Sequence, residues 1–102
     1  MSLNKKYLKT KPVCKVSFEI QKEAAKDATK IYVVGEFNEW NKTANPMKRR
    51  KNGSFVSTID LSPGKEYQFR YLIDDSNWEN DHQADKYVPN CFGDSENSVV
   101  VV

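Results

Sequence analysis

Residues 33–41, Val-Val-Gly-Glu-Phe-Asn-Glu-Trp-Asn, mark a place where a β-strand breaks into a polar loop that presents a tryptophan. The run Lys30 to Val34 before it is β-branched and aromatic, the composition of a strand. Both of its faces are apolar, Ile31 with Val33 and Tyr32 with Val34, which predicts a strand covered on both sides or central in its sheet. Gly35 at the strand end implies a bulge or a close backbone approach. Phe37 is placed to enter a core. Trp40 has only polar neighbours, so it is either a lid on the core edge or a platform for a ligand.

Outward from this stretch the chain reads as short strands and turns. Residues 1–12 carry Lys5, Lys6, Lys9 and Lys11 and are expected to be a basic, poorly ordered tail, leaving residues 13–102 as one domain. Cys14, Val16, Phe18 and Ile20 alternate with polar residues, a half-buried strand. Gln21 to Thr29 is polar and Ala-rich and suits a loop or short turn. The run Lys48-Arg49-Arg50-Lys51 precedes Asn52-Gly53, a strong hairpin signal because both residues tolerate φ > 0. That position predicts an edge strand whose charge blocks pairing with other chains. Phe55 to Leu61 returns as the second strand, and Ser62-Pro63-Gly64 is a turn. Tyr67, Phe69, Tyr71 and Ile73 alternate with Gln68, Arg70 and Leu72 in the cleanest strand of the chain, which turns Arg70 away from the core. Trp78 opens a short strand after the turn Asp74–Asn77. Asn80 to Gly93 is irregular and polar, and Ser98 to Val102 closes the chain as a strand. About seven short strands with almost no helical periodicity predict an all-β sandwich, with a small open barrel as the structural alternative.

Composition narrows the function. The 102 residues suit one domain with a modest core. Sixteen basic against fourteen acidic residues is too even for the footprint of a dedicated nucleic-acid binder. No apolar run approaches the ~20 residues of a membrane span. The N-terminus has no signal-peptide pattern, so the expected location is cytoplasmic, with Cys14 and Cys91 as free thiols. His82 is the one histidine and has no nucleophile partner; no serine sits in a Gly-x-Ser-x-Gly elbow. The carboxylates are scattered over turns, unlike a glycosidase pair flanking one cleft. Asp74, Asp75, Asn77, Glu79 and Asp81 are oxygen-rich but lack the Gly and terminal Glu of a Ca²⁺ loop, so no metal or cofactor is expected. What remains is Trp40, Trp78, Arg70 and a set of asparagines. Sugar rings offer apolar C–H faces that suit aromatic rings and a hydroxyl rim that suits amides and guanidinium.

The stretch V-V-G-E-F-N-E-W-N, the strand Y-Q-F-R-Y-L-I-D, Trp78 followed by E-N-D, and the closing Y-V-P-N-C-F-G-D-S-E-N-S-V-V-V together resemble the family 48 carbohydrate-binding modules. These include the N-terminal domains of isoamylases and glycogen branching enzymes and the glycogen-binding domain of the AMP-activated kinase β subunit. The resemblance spans nearly all of residues 13–102 and implies an immunoglobulin-like β-sandwich. It also implies a non-catalytic module that binds α-glucan: glycogen, maltooligosaccharide or cyclodextrin-like chains. The family's two platform tryptophans correspond to Trp40 and Trp78. Its basic residue on the intervening strand corresponds to Arg70, and its sugar-binding Asn before the last strand to Asn97. A Leu that enters cyclic glucans corresponds to Phe92, and a hydroxyl residue after it to Ser95. The turn Asp74–Asn77 is one residue longer than usual, and Asp94 is an extra residue before Ser95. Two other classes compete: a structural or protein-docking domain of glycogen metabolism that has lost sugar binding, and a single-strand nucleic-acid binder using Lys48 to Lys51.

Overall fold

Two antiparallel sheets carry the chain in a computed structural model that describes residues 2–25, 27–89 and 95–102. The first sheet runs β1 (Ser2–Tyr7), β2 (Cys14–Ile20), β5 (Phe55–Leu61) and β4 (Lys48–Arg49), in that spatial order. The second runs β3 (Ile31–Gly35), β6 (Glu66–Ile73), β9 (Glu96–Val101) and β8 (Lys86–Pro89), with β7 (Asn77–Glu79) paired to the far half of β6. A four-residue helix, α1 (Lys22–Ala25), and one 3₁₀ turn, Glu36–Asn38, are the helical pieces. The architecture is the all-β sandwich that the alternation predicts, with nine short strands rather than seven.

The core lies between the sheets. Cys14, Val16, Phe18 and Ile20 enter it from β2, Phe55 and Leu61 from β5, Ile31 and Val33 from β3, Phe69 and Tyr71 from β6, and Val100 from β9. Each is at most 4% exposed, so these strands show the period-two burial of a half-buried sheet. Phe18 packs against Phe69 at a 5.1 Å centroid distance and against Phe37 at 5.5 Å, and Phe69 meets Tyr71 edge-on at 5.7 Å. Phe37 is therefore the loop's anchor in the core, while Trp40, three residues on, is 39% exposed.

Three expectations change. The segment read as a poorly ordered tail contains β1, which pairs with β2 along its whole length from Ser2↔Glu19 to Tyr7↔Cys14. Its lysines are those of a charge-protected edge strand, and Lys5 Nζ donates to Asp85 Oδ2 at 2.6 Å across to the second sheet. β8 lies within the stretch expected to be irregular; at four residues ending in Pro89 it is too short to show a period, and an edge position tolerates the missing N–H of proline. β3 is covered on both faces, as its two apolar sides predict, although it lies at the side of its sheet. Its free edge is covered by the following loop, where Val33 N–H donates to Asn45 O and Met47 N–H to Ile31 O. At the hairpin only Gly53 has positive φ (89°). Arg50 N–H donates to Ser54 O and Gly53 N–H to Arg50 O, which is a three-residue loop with glycine in the left-handed position, and Asn52 Oδ1 accepts from Ser54 instead. β4 is an edge strand, as its charge predicts. Cys14 is a buried free thiol, and Cys91 lies outside the described residues. Among the described residues no helix is long and apolar enough to cross a membrane.

Candidate carbohydrate site

The outer face of the second sheet has an apolar floor. Residues opposite one another on paired strands share a face, and the pairs Val34↔Arg70, Tyr32↔Leu72, Leu72↔Trp78 and Gln68↔Val99 all point away from the core. Val34, Leu72 and Val99 are nonetheless at most 2% exposed, although none belongs to the inter-sheet core cluster. Arg70 rises from this floor, outward as expected, with Val34 on one side. Continuing the β6–β9 register one step beyond Phe69↔Ser98 places Asn97 on its other side. Trp78 stands two residues along, opposite Leu72.

Trp40 stands in a strained loop. Glu39 and Trp40 both have left-handed backbones, φ 56° and 59°. Neither is glycine, and such residues cost about 1–3 kcal/mol each unless their surroundings hold them. Here Asn38 holds them: its Oδ1 accepts from Gly35 N–H at 3.0 Å, and its Nδ2 donates to Val33 O at 3.0 Å and to Asn45 Oδ1 at 2.7 Å. Trp40 N–H donates to Gly35 O, and Glu36 Oε1 accepts from Gln68 N–H. Asn38, an amide that reads as a candidate for sugar hydroxyls, is thus spent on the loop itself. Gly35 is required sterically. A Cβ there would sit 2.5 Å from Gln68 O and 2.8 Å from Phe69 Cβ.

Trp78 is set by the turn after β6, where Asp74 and Asp75 take the two left-handed positions (φ 51° and 64°) and Ser76 N–H donates to Ile73 O. Asp74 is fixed by three donors, Thr29 N–H, Thr29 Oγ1–H and Lys30 N–H, all to its Oδ1. Those bonds, the one from the Thr29 backbone first, hold its carboxyl below the ordinary aspartate range. The two tryptophans are similarly open, 39% for Trp40 and 38% for Trp78. Lys42, two residues beyond Trp40, puts its Nζ 5.9 Å from the centre of the Trp78 ring, so the first loop reaches across to the second tryptophan.

A shallow groove of about 580 Å³ gathers Arg70, Trp78 and Ser95, together with Glu79, Asn80, His82, Tyr87 and Glu96. Asn97 is 8% exposed and donates from Nδ2 to Gln68 Oε1 at 3.0 Å, beside the groove rather than in its wall. Trp40 is likewise outside the groove wall, and Phe92 lies outside the described residues. Arg70 donates from Nε and Nη2 to Glu96 O at 3.1 and 2.5 Å. Beneath the groove Tyr71 Oη donates to Asp81 Oδ2 at 2.7 Å, with both residues fully buried. Burial first, and the adjacent carboxylate second, push the Tyr71 phenol well up, so it stays a donor. Lys42 carried no sequence signal beyond its closeness to Trp40, and the Glu96 contact is invisible in sequence because it is made by a backbone carbonyl.

Residues 18–102 match the family described as the glycogen recognition site of AMP-activated protein kinase. The chain belongs to this glycogen-recognition family. It is also similar to the 1,4-alpha-glucan branching enzyme GlgB of Aquifex aeolicus, 32% identical over 81 residues that make up 76% of this chain and 12% of the enzyme. A second relative is the GlgB branching enzyme of Photobacterium profundum, 38% identical over 64 residues, 62% of this chain and 9% of that one. The chain thus spans about a tenth of the length of the curated relatives it matches.

Proposed function

We propose that the module binds α-glucan chains without transforming them, by stacking glucose rings on Trp40 and Trp78 while Arg70 and Asn97 engage the hydroxyls between them. Ser95 in the groove extends the contact, and Phe92, outside the described residues, is a further candidate on the family resemblance alone. The observation that carries the reading is two open tryptophans, Trp40 in the loop after β3 and Trp78 on β7, the second sharing with Arg70 an outer sheet face whose apolar floor is not part of the core. The strained backbone at Glu39 and Trp40 supports it, since such strain concentrates where a side chain is held for a ligand. The non-catalytic part rests on the match of residues 18–102 to a glycogen-recognition family, in a chain that spans about a tenth of the branching enzymes it resembles. The module works in the cytoplasm, attached to or partnering a protein of glycogen metabolism.

Affinity gel electrophoresis in glycogen beside a glycan-free gel tests this. The chain is expected to be retarded by glycogen, with retardation unchanged between 50 and 500 mM salt, because the glucan carries no charge and binding releases no counterions. Equal mobility in the two gels would favour the docking-domain reading. Retention of nucleic acid that collapses with salt would favour the basic run as the binding element.

A further inference from the structure

We infer that Asn80 and the buried Ser98 are positioning residues that hold the Arg70 guanidinium ready for the glucan by way of the Glu96 carbonyl; this rests on the sugar-binding reading of the groove. Glu96 O accepts from Arg70 Nε, from Arg70 Nη2 and, at 2.9 Å, from Asn80 Nδ2. One edge of the guanidinium fork is therefore committed to the protein. The Nη1 edge carries further N–H donors in the same fixed plane, so anchoring one edge aims the other.

Asn80 is itself held from inside. Its Oδ1 accepts from Ser98 N–H at 3.0 Å and from Ser98 Oγ–H at 2.9 Å. Ser98 Oγ in turn accepts from Asp81 N–H at 2.8 Å, and Asp81 takes the Tyr71 hydroxyl. Ser98 and Asp81 are fully buried, so this line of bonds runs from the centre of the sandwich to the groove wall and ends on Arg70. An unanchored arginine must give up its rotamer freedom when the sugar arrives; one already ordered by Glu96 gives up less. Ser98 faces inward and has no surface to offer a sugar, so any effect of changing it on glucan affinity has to travel through Asn80.

The test is a double-mutant cycle read by titration with a maltooligosaccharide and by retardation in glycogen gels. The proteins are the unsubstituted chain, Ser98→Ala, Arg70→Ala and the double variant. Ser98→Ala is expected to weaken binding by about threefold to tenfold, the scale of one lost hydrogen bond. The double variant is expected to bind like Arg70→Ala alone, because the residue being positioned is gone. Asn80→Ala enters the same cycle, and serves alone if melting curves show Ser98→Ala unfolded. Multiplying effects in the double variants would overturn the inference, since independent sites add in free energy. So would single variants that bind as tightly as the unsubstituted chain. An unsubstituted chain that fails to bind any glucan would instead remove the reading on which the inference stands, and the inference with it.

Discussion

Replacing Trp40 with alanine asks whether an exposed ring in a strained loop is there for a ligand or for the fold. Trp40 keeps 39% of its surface in water. Of the roughly 150–250 Å² such a side chain can bury, about 60–100 Å² is therefore open. Covering all of that with the C–H face of glucose, at about 25 cal/mol per Å², stabilises the complex by about 1.5–2.5 kcal/mol. That is roughly a 10- to 70-fold change in Kd. The covered part of the ring is larger than the open part, so the same arithmetic says Trp40→Ala also costs folding stability, about 2–4 kcal/mol. For a domain of this size that lowers Tm by roughly 8–30 °C. A melting curve alone cannot separate the two roles, and a matched control is needed. Phe37 lies three residues away with its ring against Phe18, Tyr67 and Phe69. Phe37→Leu removes part of that packing, about 1–2 kcal/mol, and touches nothing on the outer face. Both variants are run in glycogen gels at 10 °C, where each remains folded. Phe37→Leu is expected to migrate as slowly as the unsubstituted chain, and Trp40→Ala to lose most of its retardation. If both lose it equally, affinity follows loop stability and Trp40 is no platform. If Trp40→Ala keeps it, the ring belongs to the fold alone.

The ammonium of Lys42 lies over the Trp78 ring, and a sugar stacking on that face displaces it. Lys42→Ala is expected to tighten glucan binding about two- to fivefold, the size of an exposed cation–π contact, in a maltooligosaccharide titration; weaker binding would show that Lys42 itself contacts the sugar. Gly35→Ala drives a methyl group into Gln68 O and Phe69 Cβ. It should cost at least about 1–3 kcal/mol in chemical denaturation, and a neutral result would mean that β3 and β6 can separate without penalty. Asp74, whose carboxyl is held low by Thr29 and Lys30, stabilises the fold above the unfolded aspartate range and loses that contribution as pH falls through its own lower value. The Tm difference between the unsubstituted chain and Asp74→Asn should therefore be full at neutral pH and shrink as the solution becomes strongly acidic. A difference independent of pH would place the effect in something other than the charge.

How far the molecule can be read from its residues depends on whether side chains or backbone carry the information. β2 and β6 are legible because each buries one face, and the alternation of Cys14 to Ile20 and of Tyr67 to Ile73 records it. β1 is not, because a short edge strand needs only Leu3 to touch the core, and its Asn4, Lys5 and Lys6 look like a solvated tail. β8 fails for a related reason: Tyr87 is 40% exposed and Pro89 ends the strand, so there is no buried face to leave a period. Asn52-Gly53 announces a hairpin correctly but not its loop, since the count of residues closing the turn is settled by the partner strands. Within the site, Trp40, Trp78 and Arg70 stand out as residue types. The roles of Asn38 and Asn80 do not, because an amide that staples a loop and one that faces a ligand look alike in sequence.

The apolar pattern of β3 joins the fold to the site. Two apolar faces predict a strand buried on both sides, and by burial β3 is one: Val33 and Val34, on opposite faces, are both fully covered. The simplest cause of such a pattern is a central position in a sheet, yet among the described residues β6 is the one strand β3 pairs with, and its other edge is covered by a loop through the single bridge Tyr32↔Pro46. The second apolar face therefore answers to something other than neighbouring strands. Val34, Leu72 and Val99 lie on that face outside the inter-sheet core, and Arg70 and Trp78 rise among them. A sheet face with an apolar floor and a polar, aromatic upper layer gives a guanidinium a firm bed and keeps competing water from beneath it. What reads in sequence as the most core-like strand is half core and half floor of the outer face that carries Arg70 and Trp78. A polar substitution at Val34 should accordingly weaken glucan binding as well as the fold, whereas the same change at Val33 should act on the fold alone.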